Sequence, residues 1–383
     1  MGKIKILELC HFSAGICGVW SRVKEESTRL ADLGYEVRVF SSNAVKGSKE
    51  IAKPSETINK VRIKRFPYLK LGGESFMYWN FIKEAIDYSP DIIIAHVYRH
   101  PHTTSALKVK RILEKSGKKC IVFLVTHAPF NMNNSERGII ATTAVKLYDS
   151  LIGKKTINKF DKVINISNWE VPYLTKLGLK KDKLFYLPNG VPEKFFELKQ
   201  KYHKNNKILF LGRISPVKNL ELAISAIKDT VYSLDIVGPS EGNYKKELEN
   251  LVQSEKLSKK ISFSQSIYDL NEKIKKIDSA MLFIIPSKRE GMPQSLIEAM
   301  ARGRVCIGSD ADGIRDLIKN KSNGFIFSLK NKDSLQNLLN YISSLNKENL
   351  QSISKNSKNF ASKFNWEIII SKLDKLINQE AHK

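Results

Sequence analysis

Residues 286–303 read Pro286-Ser-Lys-Arg-Glu-Gly-Met-Pro-Gln-Ser-Leu-Ile-Glu-Ala-Met-Ala-Arg-Gly303, directly after the apolar run 280–285. The run is spelled like a parallel strand buried on both faces, and the Leu- and Ala-rich stretch that follows is spelled like a helix. Pro293 falls where that helix should begin, a position that needs no N–H donor. The backbone N–H groups of Gln294 and Ser295 are then unpaired, and a helix terminus of this kind attracts anions. Glu290 lies in the loop before the helix and Glu298 about two turns into it. At ~1.5 Å per residue the two carboxylates are at most ~12 Å apart. That is about the length of a diphosphate with a hydroxylated ring at each end. One carboxylate could accept hydrogen bonds from each ring while the helix terminus holds the phosphates. A Glu pair at this spacing is by itself most often an ordinary solvated pair, and it is the strand and loop around it that point to a site.

Residues 209–220 carry the second signal: Leu209-Phe-Leu-Gly-Arg-Ile-Ser-Pro-Val-Lys-Asn-Leu220. A strand ends at Gly212, and Arg213 and Lys218 follow before a helix starts near Asn219. Two cations at the carboxyl end of a parallel strand suit a departing diphosphate. Outward from these stretches, short β-rich runs alternate with helical patterns. Strands are expected over 3–9, 36–40, 61–65, 91–96, 119–126, 162–166, 207–211, 233–237, 260–263, 280–285, 305–308 and 324–326. Helices are expected at 19–33, 75–88, 103–116, 139–159, 219–228, 244–255, 268–276, 293–302 and 366–378. Such alternation means parallel sheets covered by helices on both faces. The pattern restarts near residue 205, after the turn Leu187-Pro-Asn-Gly-Val-Pro192 and the polar, Lys-rich stretch 199–207. The expectation is an α/β chain of two Rossmann-like, doubly wound domains facing a central cleft. Residues 1–195 form the first, with the amphipathic helix 366–383 packing back on it, and residues 196–365 form the second. Ligands of open parallel sheets bind beyond the carboxyl ends of the strands.

The composition fits this reading. The 383 residues are 42% hydrophobic and 27% charged, a globular balance, and no apolar run approaches the ~20 residues that span a bilayer. Lys3 and Lys5 resemble the charged start of a secretory leader, but Glu8 and His11 interrupt its apolar core, so a cytoplasmic protein is expected. Sixty-four Lys+Arg against 39 Asp+Glu give a formal charge of +25, more of it in residues 1–190 than in the rest. Such a field favours phosphorylated small molecules, anionic lipid surfaces or nucleic acid. Cys10, Cys17, Cys120 and Cys306 have no metal-ligand spacing and read as reduced.

The two stretches closely resemble retaining glycosyltransferases of family 4, which have the GT-B fold. That family reads G-R-x-x-x-x-K-(N/G) after the first strand of its C-terminal domain, matched by Gly212, Arg213, Lys218 and Asn219. Its second motif is matched by Pro286, Ser287, Glu290, Gly291, Glu298, Ala299, Met300, Ala301 and Gly303. Further matches are Gly34-Tyr-Glu-Val37, Pro188-Asn-Gly-Val191 and Phe364-Asn-Trp366. Two stretches depart: Cys17-Gly18-Val19 stands where the family has G-G-A, and Arg304 and Asp312 replace a proline and a glycine in residues 303–313. The resemblance implies transfer of a sugar, with retention and an α-linkage, from a nucleotide diphosphate sugar (UDP- or GDP-linked) to a glycan or lipid-linked acceptor. It implies no metal and no further cofactor. Gly18, Gly212, Arg213, Lys218, Glu290, Gly291, Met292, Pro293, Gln294, Ser295 and Glu298 are the expected nucleotide-sugar-binding residues. Glu290 is assigned to the sugar and Glu298 to the ribose. His127, Arg213, Lys218 and Glu290 are the expected catalytic group, with His127 touching the sugar from the end of the strand 119–126.

His96 and His100, with Tyr98, Arg99 and His102 nearby, are spaced too irregularly for a metal and read first as surface residues, then as part of an acceptor pocket. Basic helices of the first domain suggest peripheral contact with an anionic membrane face. The competing readings are a GT-B sugar-nucleotide epimerase, a silent scaffold and a nucleic-acid-directed protein. No nucleic-acid-binding motif accompanies the charge, which makes the last unfavoured.

Overall fold

The computed structural model describes residues 3–15, 17–70, 77–130, 138–197, 205–240 and 242–382. The start of the helix expected over 75–88 and most of the stretch 199–207 lie outside the described residues. The chain divides into two compact units, residues 1–188 with 369–383, and residues 189–368. The division falls at 188/189 and not at 195/196. Val191 pairs with Asn365, and a Cβ on Gly190 would lie 2.3 Å from the Trp366 ring. These contacts bind the segment after Pro188 to the second unit.

The first unit is built on an eight-stranded sheet. Its strands are β1 (Lys5–Phe12), β2 (Glu36–Ser42), β3 (Ser55–Ile58), β4 (Val61–Phe66), β7 (Ile92–His96), β8 (Ile121–Val125), β9 (Lys162–Asn165) and β10 (Leu184–Tyr186). The order is β10-β9-β8-β7-β1-β2-β4-β3, parallel except for β3 against β4. A separate hairpin joins β5 (Tyr68–Lys70) to β6 (Met77–Trp79). Residues Met77–Trp79 were expected to be helical; Met77 and Trp79 are buried while Tyr78 is exposed, the alternation of a strand with one covered face. Helix Ile82–Tyr88 starts only afterwards. The central strands β1, β7 and β8 are buried almost throughout, as parallel strands between helical layers must be. The last helix, Trp366–Ala381, contributes Ile369, Leu373, Leu376 and Ile377, all buried, and Asp374 accepts the Tyr35 hydroxyl at 2.6 Å.

The second unit has six parallel strands: β11 (Lys207–Leu211), β12 (Ser233–Val237), β13 (Ile261–Ser264), β14 (Leu282–Ile285), β15 (Val305–Ser309) and β16 (Phe325–Phe327). Their order, β13-β12-β11-β14-β15-β16, runs outward on one side of β11 and resumes at β14 on the other. The crevice beyond the ends of β11 and β14 is therefore the topological switch point, where ligands of such sheets bind. In the first unit the corresponding point lies between β1 and β7. Among the described residues no helix is long and apolar enough to cross a membrane. The four cysteines are free, with Cys10, Cys120 and Cys306 buried.

Candidate functional site

In the second unit both sequence signals converge on the switch point. Strand β11 ends at Leu211, and Gly212 donates its N–H to Val237 O. A Cβ on Gly238 would lie 1.9 Å from Gly212 O, so the β12 end can pack this closely only as glycine. Exposed Arg213 follows. A short turn carries Lys218, and Asn219 adopts φ 55°, a left-handed geometry that asparagine tolerates. From there the Asn219 amide donates to Pro286 O at 3.2 Å, and Lys288 N donates to Val217 O at 2.9 Å. The loops after β11 and β14 are thus stitched together by one side-chain bond and one backbone bond.

The stitching sets Lys218 Nζ 2.6 Å from Glu290 Oε1. The Ser287 hydroxyl donates to the same oxygen at 2.6 Å. Both members of the ion pair keep some exposure, and an ammonium has two further protons to offer. A Cβ on Gly313 would lie 2.3 Å from Gly291 O and 2.5 Å from Glu290 O. The helix Asp312–Arg315 therefore braces the loop from behind.

Helix Gln294–Ala301 begins behind Pro293, and among the described residues no side chain caps it. Its N-terminal N–H groups are the orphan donors expected there. Glu298 sits one turn into the helix, not two, because the chain before Gln294 is extended. Its carboxylate is buried, and Lys273 Nζ lies 2.7 Å from Oε1 and 2.6 Å from Oε2. Lys273 comes from helix Leu270–Asp278, which Asp269 caps by accepting Glu272 N at 2.9 Å. Met292 and Pro293 are buried, and Asn189 N donates to the Met292 sulfur at 3.3 Å. The Gln294 amide donates to Gly190 O at 2.9 Å, so this side chain is used within the fold. Arg304, one of the unexpected residues, is buried and donates to Asp278 O, Ala280 O and Arg302 O. Asp312 pairs with Arg315 at 2.8 Å.

In the first unit His127 follows β8, as expected, in an unusual backbone. His127 has φ 58° and Ala128 φ 54°, two successive left-handed residues, each costing about 1–3 kcal/mol. Buried Glu170 holds them. Its Oε2 accepts from the Thr126 hydroxyl and from Ala128 N, and its Oε1 from Ile166 N and Ser167 N. Burial pushes the Glu170 carboxyl up to about 7 against these donated bonds. The half-buried His127 ring lies with Nε2 2.9 Å from His96 Nδ1. His96 Nε2 lies 2.9 Å from Glu8 Oε2.

His96 and His100 are not surface residues. His96 is wholly buried, and His100, His102 and His11 nearly so, because the loop after the central strand β7 folds over the end of β1. Glu8, Glu26 and His96 bring ligand atoms within 4.8 Å of one another. The Arg22 guanidinium, 3.0 Å from Glu26 Oε2, already supplies the positive charge there. Gly18 opens helix Gly18–Asp32, and no atom of the described residues crowds it. The tight approach is at Gly15, where φ is 80° and a Cβ would meet Lys46 O at 2.4 Å.

Glu8, Glu170, Lys273 and Ser287 were not legible as site residues. Ser287, as part of the Pro-Ser motif, was the one with a signal to follow.

The first half of the chain, residues 16–195, matches the family model described as Glycosyltransferase Family 4, and residues 192–360 match that of Glycosyl transferases group 1. A UDP-Gal:alpha-D-GlcNAc-diphosphoundecaprenol alpha-1,3-galactosyltransferase of Escherichia coli is 32% identical over 216 residues, covering 51% of this chain and 53% of that protein. An N,N'-diacetylbacillosaminyl-diphospho-undecaprenol alpha-1,3-N-acetylgalactosaminyltransferase of Campylobacter jejuni is 27% identical over 234 residues, covering 56% and 59%. The matches thus span little more than half the length of these relatives. Among solved structures, Anabaena HepE in complex with UDP and glucose superposes with a TM-score of 0.74 at 17% identity, over 98% of this chain and 100% of that one.

Proposed function

The chain belongs to the group 1 and family 4 glycosyltransferases, and from that premise we propose that it is a retaining, metal-independent hexosyltransferase forming an α-linkage. The donor is a UDP- or GDP-sugar and the acceptor a glycan or a lipid-linked saccharide. The observation that carries the reading is the Lys218–Glu290 pair at the switch point, beside an uncapped helix N-terminus. Departure of a nucleoside diphosphate leaves negative charge on the β-phosphate. Lys218, Arg213 and the N–H groups of Gln294 and Ser295 meet that charge with fixed positive groups, the work a divalent cation performs elsewhere. Glu290 accepts from donor-sugar hydroxyls and Glu298 from the ribose, with His127 contacting the sugar. The lipid-linked acceptor is suggested by the two relatives whose names carry diphospho-undecaprenol substrates.

A thermal-shift and calorimetric screen against UDP, GDP, ADP and TDP, with and without EDTA, tests the donor assignment. One nucleotide is expected to bind equally well in both conditions. Glu298→Ala and Arg213→Ala are each expected to weaken it by about 10–100-fold, the worth of a hydrogen bond to a charged group. No binding to any of the four, or binding abolished by EDTA, rejects the reading.

A surface of the first unit supports the lipid-linked acceptor. Leu147, in the last turn of helix Ile139–Tyr148, and Leu151 and Ile152, on the segment that continues it, are exposed, and Lys146, Lys154, Lys155 and Lys159 beside them are exposed too. Apolar side chains flanked by lysines suit an anionic bilayer interface. The protein is expected to sediment with phosphatidylglycerol-containing vesicles at low salt, and Leu151→Asp to reduce the bound fraction severalfold. Equal sedimentation of wild type and variant would remove this face from the proposal.

A further inference from the structure

Glu8, His96 and His127 stand on or just beyond three neighbouring strands, β1, β7 and β8, in a continuous hydrogen-bonded chain. Each of its two 2.9 Å contacts needs one proton and one lone pair, so the chain has two settings. If His96 donates through Nδ1, His127 accepts at Nε2 and keeps its own hydrogen on Nδ1. If His127 donates through Nε2, its Nδ1 is a bare lone pair. A ligand oxygen meets a donor in the first case and an acceptor in the second.

Charge at the buried end chooses between them. Arg22 and Glu26, from helix Gly18–Asp32, pair at 3.0 Å with both side chains wholly buried. Burial raises the Glu26 carboxyl too, against Arg22, but the guanidinium donates directly to Glu26. Glu26 is therefore the carboxyl held ionised, and its charge and that of Arg22 cancel. An ionised Glu8 beside a neutral His96 would leave one uncompensated negative charge in the interior, which is very costly. Glu8 Oε1 has no hydrogen-bond partner among the described residues, an arrangement a neutral carboxyl tolerates better than a carboxylate. The balanced cluster therefore holds one more proton, on Glu8 or on His96. With the proton on Glu8, that carboxyl donates to His96 Nε2, and the neutral imidazole carries its hydrogen on Nδ1. With the proton on His96, both its nitrogens donate. Both placements make His96 the donor to His127.

The surrounding groups agree. Burial first, then Glu26, raise the Glu8 carboxyl well above its usual range, with Arg22 opposing. Burial first, then His127, Arg22 and His102, hold His96 well below the usual imidazole range, which favours Glu8 as the carrier. His127 is likewise held low by burial, Arg22 and His100. Burial first, then His100, His102 and Lys46, hold His11 low as well.

We propose that Glu8 and His96 are positioning residues that lock His127 as a hydrogen-bond donor through Nδ1, so that this site takes an oxygen lone pair of its ligand. On the function proposed above, on which this ligand assignment rests, that oxygen is a hydroxyl oxygen of the transferred sugar.

The test is long-range proton–nitrogen NMR of the full chain labelled with ¹⁵N-histidine, the His127 signals being assigned by their loss in His127→Asn. In the wild type the His127 hydrogen is expected on Nδ1; finding it on Nε2 overturns the proposal. Glu8→Gln keeps an N–H donor facing His96 Nε2 and is expected to keep the Nδ1–H form. Glu8→Leu removes the constraint and is expected to give a mixture of tautomers. Its KM for the nucleotide sugar should rise about tenfold with a smaller change in kcat, roughly the loss of one oriented hydrogen bond, and Glu8→Gln should recover most of it. If Glu8→Leu leaves the wild-type tautomer unchanged, Glu8 does not set it and the proposal falls. If that variant does not fold, the wild-type spectrum decides alone. A chain with His127 in the Nδ1–H form that binds no nucleotide keeps the positioning chain and loses the proposed function; the reverse result separates them the other way.

Discussion

On the function proposed above, Lys218→Ala is expected to lower kcat by about 10²–10³-fold, the cost of removing one fixed group aimed at developing negative charge. Two effects combine. The ammonium is lost from the leaving phosphate, and Glu290, whose Oε1 it meets at 2.6 Å, keeps the Ser287 hydroxyl but loses its cation. A carboxylate freed in this way repels the diphosphate, so nucleotide affinity falls as well. Glu290→Gln, made in the same background, is expected to recover part of that affinity but little of kcat, because the repulsion is relieved while the cation is still missing. Single-turnover rates with the nucleotide sugar found in the screen measure this. A loss smaller than about threefold in Lys218→Ala would remove the residue from the mechanism.

The largest stability effect is expected at Arg302, away from the chemistry. Its guanidinium holds Asp278 by two bonds, 2.9 Å from Oδ1 and 2.6 Å from Oδ2. It also donates to Phe195 O and Glu197 O, which ties the segment entering the second unit to its sheet. Both side chains are almost wholly buried. Arg302→Ala leaves a carboxylate and two carbonyls without this donor, and is expected to destabilise the second unit by about 3–5 kcal/mol. Replacing both partners, as in Arg302→Met with Asp278→Leu, leaves no unpaired charge and should recover much of the loss. Hydrogen exchange in β14 and β15 reads the second unit separately from the first. A loss below about 1 kcal/mol for Arg302→Ala would mean that water or a rearranged loop replaces the guanidinium.

Arg302 and Arg304 show why part of the chain could be read in advance and part could not. Arg304 stands where related chains carry proline, and from the sequence it was only a departure. In the fold its guanidinium caps carbonyls of residues 278, 280 and 302, a structural use that leaves the binding loops alone. The hairpin at β5 and β6 escaped the sequence reading because three-residue strands are too short to show a period. Buried strands such as 280–285 were legible because parallel pairing between two helical layers demands a continuous apolar run.

The sequence by itself determined the features that depend on neighbours along the chain. These are the alternation of buried strands and helices, the helix opening after Pro293 and the motif that places Lys218 and Glu290 in loops. Tertiary structure alone decided which charges meet. Lys273 is 25 positions from Glu298, Lys218 is 72 from Glu290 and His96 is 88 from Glu8. Such pairs form because strand order sets distant chain segments side by side. Burial then makes each unpaired charge costly enough to select its partner.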